Sequence, residues 1–265
     1  MQPGPLIGIA VALLAILGGN VLEGGHLGSI LGGPAAMIVV GGTLGAVLVQ
    51  YPVSTCLEAL RAAGRTFQKP SQDGHQLIEE IVDYANRARR DGILALEKIA
   101  SKASDPFLTK AIMMVVDGAD STTLRETMDI TISKLEEHGE DAAKAFEAAG
   151  GYAPTVGIIG AVLGLIHVMS NLSDIGAVGA GIAGAFVATI YGVAVANIIF
   201  LPLGGRIKLR LRDEITFKEL TLVGVLAIQA GMNPKLVRER LSEFVHSPSN
   251  PKKGSPAGEA ASAPA

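Results

Sequence analysis

Four stretches of this 265-residue sequence carry no lysine, arginine, aspartate or glutamate: 1–22, 24–57, 148–173 and 175–205. Each exceeds the ~20 residues a helix needs to cross ~30 Å of hydrocarbon, which excludes an ordinary soluble domain. Cysteine is nearly absent. The single Cys56 rules out an intramolecular disulfide, and its place just inside the expected membrane boundary points to a reducing compartment. Signatures of catalysis are missing too: there is no phosphate loop, no zinc-ligand spacing and no nucleophile with a matching base, so neither enzyme chemistry nor a bound cofactor or metal is expected. The N-terminus lacks the basic segment of a secretory signal, and its apolar run is long enough to stay as a membrane helix.

What charge there is falls into two blocks. Of the 22 lysines and arginines, 12 lie between Arg61 and Lys144 and 10 between Arg206 and Lys253. The links inside the two apolar pairs, around Glu23 to Ile30 and Asn171 to Gly179, hold none, so the preference of basic residues for the cytoplasmic side puts both links outside and both termini inside. The expected architecture is an all-α protein of the bacterial inner membrane, with four transmembrane helices in two hairpins and a helical cytoplasmic domain between spans two and three. In residues, this is a hairpin over 1–51 (spans 5–21 and 34–51), a cytoplasmic domain over 52–153 and a second hairpin over 154–203 (spans 154–172 and 180–203). Cytoplasmic helices over 204–246 and a Ser, Pro, Ala and Gly-rich tail over 247–265, expected to be disordered, complete the chain. The loop over 52–153 has 17 acidic against 12 basic residues, and the part from Gly204 onward has 6 against 10. Opposite signs either neutralise each other within the subunit or form a docking face, and so acidic a loop argues against nucleic acid.

Local signals refine the outline. Pro52 ends or bends span two, and Leu57, Leu60 and Phe67 beside Arg61 and Arg65 read as an amphipathic helix at the inner membrane surface. Leu77, Ile78, Ile81, Val82 and Ala85 recur at helical spacing, and a second helix over Ile93 to Ala103 follows the Gly92 break. Asp105 and Pro106 open a third, and Thr123 with Glu126 fits a capping box that starts a long helix toward span three. Asn233 with Pro234 opens a short final helix to about Val245. In spans three and four, Gly157, Gly160, Ala161 and Gly164, and then Gly181, Gly184, Ala185, Ala188, Gly192 and Ala196, form the small-residue stripes by which membrane helices pack.

No acidic or basic side chain lies within a span, so the chain offers no carboxylate at membrane depth for a cation. If it conducts, a partner must bring one. Polar groups in the last two spans include His167, Thr189, Tyr191 and Asn197. His167 is either a packing residue or a relay, and the Thr189 hydroxyl either bonds back to its own helix or faces a pore.

The runs GGYAPTVGIIGAVLGLIHVMSNLSD (150–174), GIAGAFVATIYGVAVANIIFLPL (181–203) and EGGHLGSILGGPAAMIVVGGTLGAVLVQYP (23–52) together resemble the MotA family of flagellar motor stator proteins, within the MotA/TolQ/ExbB superfamily of proton channels. The resemblance extends to about residue 246. It implies a homopentamer around two copies of a MotB-type partner whose transmembrane Asp binds and releases the ion, with torque delivered to a rotor protein of the FliG type. Pro154 and Pro202 match two prolines of the family near the inner mouth of the channel, although from local sequence alone each reads as a helix-boundary device. The resemblance assigns Ala161, Thr189 and Tyr191 to the ion pathway with them. In ARRDGILALE, Arg89 and Glu97 fall on the rotor-facing charges of the family's force-transmitting motif, with Arg90 and Arg87 close enough to blur the match. Sodium-driven relatives carry Thr where this chain has Ala161, which implies proton drive. The alternatives are an ExbB or TolQ type energiser, expected to have three spans, and a scaffold that conducts nothing.

Overall fold

A computed structural model describes residues 3–68, 73–170 and 175–245, and every regular element in them is helical. Among the described residues, four helices are long and apolar enough to cross a membrane. The end of the expected link at Asn171 and the tail from residue 247 onward lie outside the described residues. The chain divides into two compact units, Met1–Ser71 with Glu126–Glu219, and Gln72–Arg125 with Leu220–Ala265.

In the first unit, α1 (Pro3–Leu22) buries none of its residues, as suits an aliphatic helix whose solvent is lipid. A 3₁₀ turn (Leu27–Ile30) leads to α2 (Gly33–Gln50), which buries the stripe Ala35, Val39, Thr43 and Val47 at four-residue spacing and packs along the helix Ile175–Ala194. Tyr51, preceding Pro52, is extended (φ −122°, ψ 143°), because a proline ring crowds the helical conformation of the residue before it. Then α3 (Val53–Thr66) buries Ala59, Ala63 and Thr66. Its last carbonyls are capped from afar: Arg206 donates to Thr66 O at 3.2 Å, and Arg210 donates to Arg65 O and, at 2.9 Å, to Gln68 O.

Two expected helix boundaries are absent. Span three is the far part of α7 (Ser121–Ser170), a 50-residue helix with Pro154 inside it, so the boundary drawn between residues 153 and 154 falls within a continuous element. Proline removes one i→i−4 bond, leaving the Gly150 carbonyl without that donor, and the neighbouring helix packed here keeps the backbone helical. Span four runs through α8 (Ile175–Ala194) and a π-helical turn (Val195–Phe200) directly into α9 (Leu201–Gln229). In the wider turn Leu201 N donates to Ala196 O, five residues back, just before Pro202 deprives the Ile198 carbonyl of its ordinary donor. Gly204 does not end the helix. It lets α9 close on α7, where an added Cβ would meet Ala143 O at 3.2 Å and Phe146 Cβ at 3.4 Å.

The second unit begins with α4 (Gly74–Asp91), capped by Asp73 through His75 N. All five periodic residues Leu77, Ile78, Ile81, Val82 and Ala85 are buried, and α4 packs against the helix Pro234–Ser242. Gly92 at φ +87° ends α4, since only glycine takes that conformation without strain. Instead of one helix over Ile93 to Ala103, a 3₁₀ turn (Ile93–Leu96) and a single turn, α5 (Glu97–Ala100), follow. Asp105 caps α6 (Pro106–Val116) through Phe107 N at 3.1 Å, as its sequence predicts. The start of α7 differs from expectation. Asp120, not Thr123, is the cap, accepting from the amides of Thr122 and Thr123 at 2.8 and 2.9 Å, and these bonds hold its carboxyl below the usual range. Asn233 caps α10 (Pro234–Ser242) through Lys235 N. Tyr84 and Ser104 both donate to Glu80, and burial together with that carboxylate pushes the Tyr84 phenol up.

The charge imbalance read from sequence is partly consumed internally: Lys208 pairs with Glu147 at 2.7 Å in the first unit and Arg238 with Glu79 in the second. Exposed pairs of this kind add little stability each, but both join the acidic loop to the basic C-terminal part.

Candidate functional site

The site grows from the crossing of α7 and α8. A Cβ built on Gly192 would stand 2.5 Å from the Ala153 carbonyl oxygen and 3.1 Å from the Cα atoms of Gly157 and Pro154. One built on Gly157 would meet the Ala188 carbonyl at 2.9 Å and Thr189 Cα at 3.4 Å. Farther along, Gly160 faces Ala188 and Gly164 faces Ala185 at about the same spacing, 2.9 and 3.0 Å. Lipid gives packed helices no hydrophobic advantage, so backbone approach through small residues is what joins them.

One flank of this pair is covered by α2. Val156 fills the space beside Gly42, Ile38 lies against Gly160, and Ala35 packs with Val187 and Ala188. Tyr191 belongs to this covered flank. Its hydroxyl accepts from Gly32 N at 3.1 Å and donates to Ile30 O at 2.7 Å, tying α8 to the link that precedes α2. Residues advance ~100° around a helix, which sets Thr189 ~160° away from Tyr191, on the opposite flank. Ala161, one turn beyond Gly157, and Pro154 share that opposite flank. The three are half-buried, while Ile158, Phe186 and Val193 beside them are 55%, 65% and 46% exposed. The structure therefore brings Pro154, Ala161 and Thr189 together along one open side of the crossing and separates Tyr191 from them.

Thr189 is the polar member of the group. Thr131, Ser170 and Thr216 each donate to the carbonyl four residues back, but the Thr189 hydroxyl has no hydrogen bond among the described residues. Asn197, further down the same helix, spends its Nδ2 on Val193 O at 2.9 Å. Pro202 is exposed on α9, and its neighbour Leu201 packs so closely on Gly150, one turn from Pro154, that a Cβ there would lie 2.6 Å from Leu201 Cδ2. The two prolines thus occupy adjacent turns of paired helices. The π turn beside them is the feature sequence reasoning missed, and Pro202 was the sole signal pointing to that place.

In the second unit the cluster of arginines resolves by partner. Arg87 bonds Asp83 at 2.8 Å and Arg90 grips Asp91 with Nε and Nη2, which lowers the Asp91 carboxyl's pKa. Arg89, in the last turn of α4, and Glu97, in the first of α5, are exposed and have no ion-pair partner among the described residues. These two remain available to another molecule.

A transmembrane crossing whose one open flank carries a hydroxyl and no carboxylate suits a channel-type membrane protein, and comparison identifies the family. Residues 99–219 match the model of the MotA/TolQ/ExbB proton channel family, residues 6–92 match the Motility protein A N-terminal model, and the chain belongs to this family. It is 32% identical to Motility protein A of Helicobacter pylori over 96% of this chain and 98% of that one. It is equally 32% identical to chemotaxis protein PomA of Vibrio alginolyticus, over 88% and 94%. Among solved structures, that of C. jejuni MotAB matches with a TM-score of 0.89 at 30% identity, covering 96% of this chain and 99% of that one.

Proposed function

We propose that this chain is the multi-span subunit of a proton-driven flagellar stator. Five copies surround a MotB-type partner, the open flank with Pro154, Ala161 and Thr189 lines the ion path, and Arg89 and Glu97 press on a FliG-type rotor protein. The observation that carries this reading is the pairing of an open polar flank with the lack of any acid in four spans: the conduit has a wall and a hydroxyl but no carboxylate, which the partner's Asp supplies. Tyr191 then acts from behind, holding α8 against the α2 side of the wall.

The chain's own residues supply geometry, not proton affinity. Each charge crossing ~150 mV releases ~3.5 kcal/mol, and the prolines and π turn, where the backbone lacks its full set of bonds, are where a helix can bend in response. Sodium stripped of water needs several oxygen ligands, whereas the methyl at Ala161 offers none, which supports a proton as the driving ion. Both termini and the charged segments lie on the cytoplasmic side of the inner membrane, following the basic residues. An energiser of the ExbB or TolQ type is disfavoured because the hairpin α1–α2 precedes the loop and matches the Motility protein A N-terminal model.

Two measurements test the reading. Vesicles holding the chain with a MotB-type partner should leak protons and vesicles holding the chain alone should not; equal fluxes would leave only a scaffold. Swimming speed should be independent of external sodium in the unmodified protein, and a sodium requirement there would overturn proton drive.

A further inference from the structure

The helix α3 has a feature the stator reading does not use. Around its axis, with Ala59, Ala63 and Thr66 facing the protein, Val53, Leu57 and Leu60 stand on one flank and are 63%, 48% and 63% exposed. That flank roofs an apolar cavity of about 280 Å³, walled by Leu44, Leu48, Phe146 and Phe200, where the apolar part of α7 begins after Glu147. The other flank carries Arg61 and Arg65, one turn apart, beside a second cavity of about 390 Å³ whose charged lining also includes Arg210, Glu58 and Glu214. Neither Arg61 nor Arg65 has an ion-pair partner among the described residues, despite the carboxylates nearby. The helix is also held fixed, because Arg206 and Arg210 bond its terminal carbonyls from α9.

An amphipathic helix at the membrane boundary with a guanidinium pair on one edge and an apolar slot under the other matches the two ends of a lipid. We propose that α3 is the docking site of one anionic phospholipid, its phosphate bound by Arg61 and Arg65 and an acyl chain lying in the slot beneath Leu57 and Leu60. The phosphate answers two cations that the protein leaves unpaired, and the chain covers leucines that water would otherwise meet. A zwitterionic headgroup is a poorer occupant, since it brings an ammonium against the same arginines. Held this way, the lipid clamps α3 to the membrane while α9 caps its C-terminal carbonyls.

The sequence contains no tryptophan, so Leu57→Trp places one reporter at the slot. The complex with its MotB-type partner is reconstituted in phosphatidylcholine vesicles and titrated with brominated phosphatidylglycerol or brominated phosphatidylcholine, subtracting the signal of the unmodified complex. An attraction of ~1 kcal/mol per basic residue near an anionic surface is ~5-fold in affinity, so half-quenching by the glycerol lipid should need at least ~5-fold less lipid. Arg61→Gln with Arg65→Gln should abolish this preference and leave quenching by brominated phosphatidylcholine intact. Leu60→Trp, on the same flank, repeats the measurement if the first variant assembles poorly. Equal titrations with the two lipids, a preference that survives the double Gln variant, or no quenching by either lipid would each overturn the proposal.

Discussion

Replacing Gly192 by alanine asks whether the α7·α8 crossing depends on backbone contact. The new methyl would stand 2.5 Å from Ala153 O and 3.1 Å from the Cα atoms of Gly157 and Pro154. Ordinary contact begins near 3.4 Å, and all three obstacles are main-chain atoms that cannot rotate aside, so the helices must part by roughly an ångström; forced overpacking of this kind costs about 1–3 kcal/mol. Gly184, two turns away on the same helix, has nothing within 4 Å of an added Cβ. There the change should bring only the ~1 kcal/mol by which alanine exceeds glycine as a helix former. That gain is common to both positions, so the two substitutions, chemically identical, should differ by the overpacking cost alone, about 1–3 kcal/mol, or on the order of 3–8 °C in the melting of the purified complex. Because Gly192 touches the backbone of Pro154 and lies one turn from Thr189, Gly192→Ala should also slow swimming in a strain lacking its own stator, and Gly184→Ala should not. Equal melting temperatures would refute the claim that main-chain approach sets this crossing.

Charge reversal at either free residue of the second unit, Arg89→Glu or Glu97→Lys, should reduce torque on a tethered cell while leaving membrane levels unchanged; the same reversal at Arg87, which is occupied by Asp83, should do less. Pro154→Leu restores an amide donor to the Gly150 carbonyl and should stop rotation while melting stays at or above that of the unmodified complex, measured on complexes that still co-purify with the partner. Thr43 is fully buried in α2 with an unpaired hydroxyl, so Thr43→Val, which keeps the shape and removes the unmet group, should stabilise the complex by about 1–2 kcal/mol in thermal melts; a loss of stability would disprove that the hydroxyl is unmet.

The four spans were legible because twenty uncharged residues have few alternatives to a membrane helix, and the amphipathic periodicity of 77–85 likewise has one good burial solution. Continuity was not legible. Pro154 and Pro202 carry the same local penalty whether a helix ends at them or passes through, and what decides is a neighbouring helix at van der Waals distance, which no short window of sequence contains. Thr123 with Glu126 satisfied the pattern of a capping box, yet Asp120 won because its two carboxylate oxygens reach both free amides and the Thr123 hydroxyl. At the site, the resemblance put Thr189 and Tyr191 on the same path. Their spacing of two residues already implies opposite sides of a helix, but which side stays open depends on where α2 lies. Among Arg87, Arg89 and Arg90 the free one is identified only by the acids at positions 83 and 91 taking up its neighbours.

The uninterrupted course of α7 makes it a lever as well as a span. Within the first unit, from Pro154 back to Glu126, it extends 28 residues, or ~42 Å at the helical rise. A bend of ~10° at the proline would sweep that point sideways by ~7 Å, whereas a chain broken there would absorb the same tilt in its joint. A tilt of a few degrees beside the membrane thus becomes a displacement of several ångströms along one continuous helix.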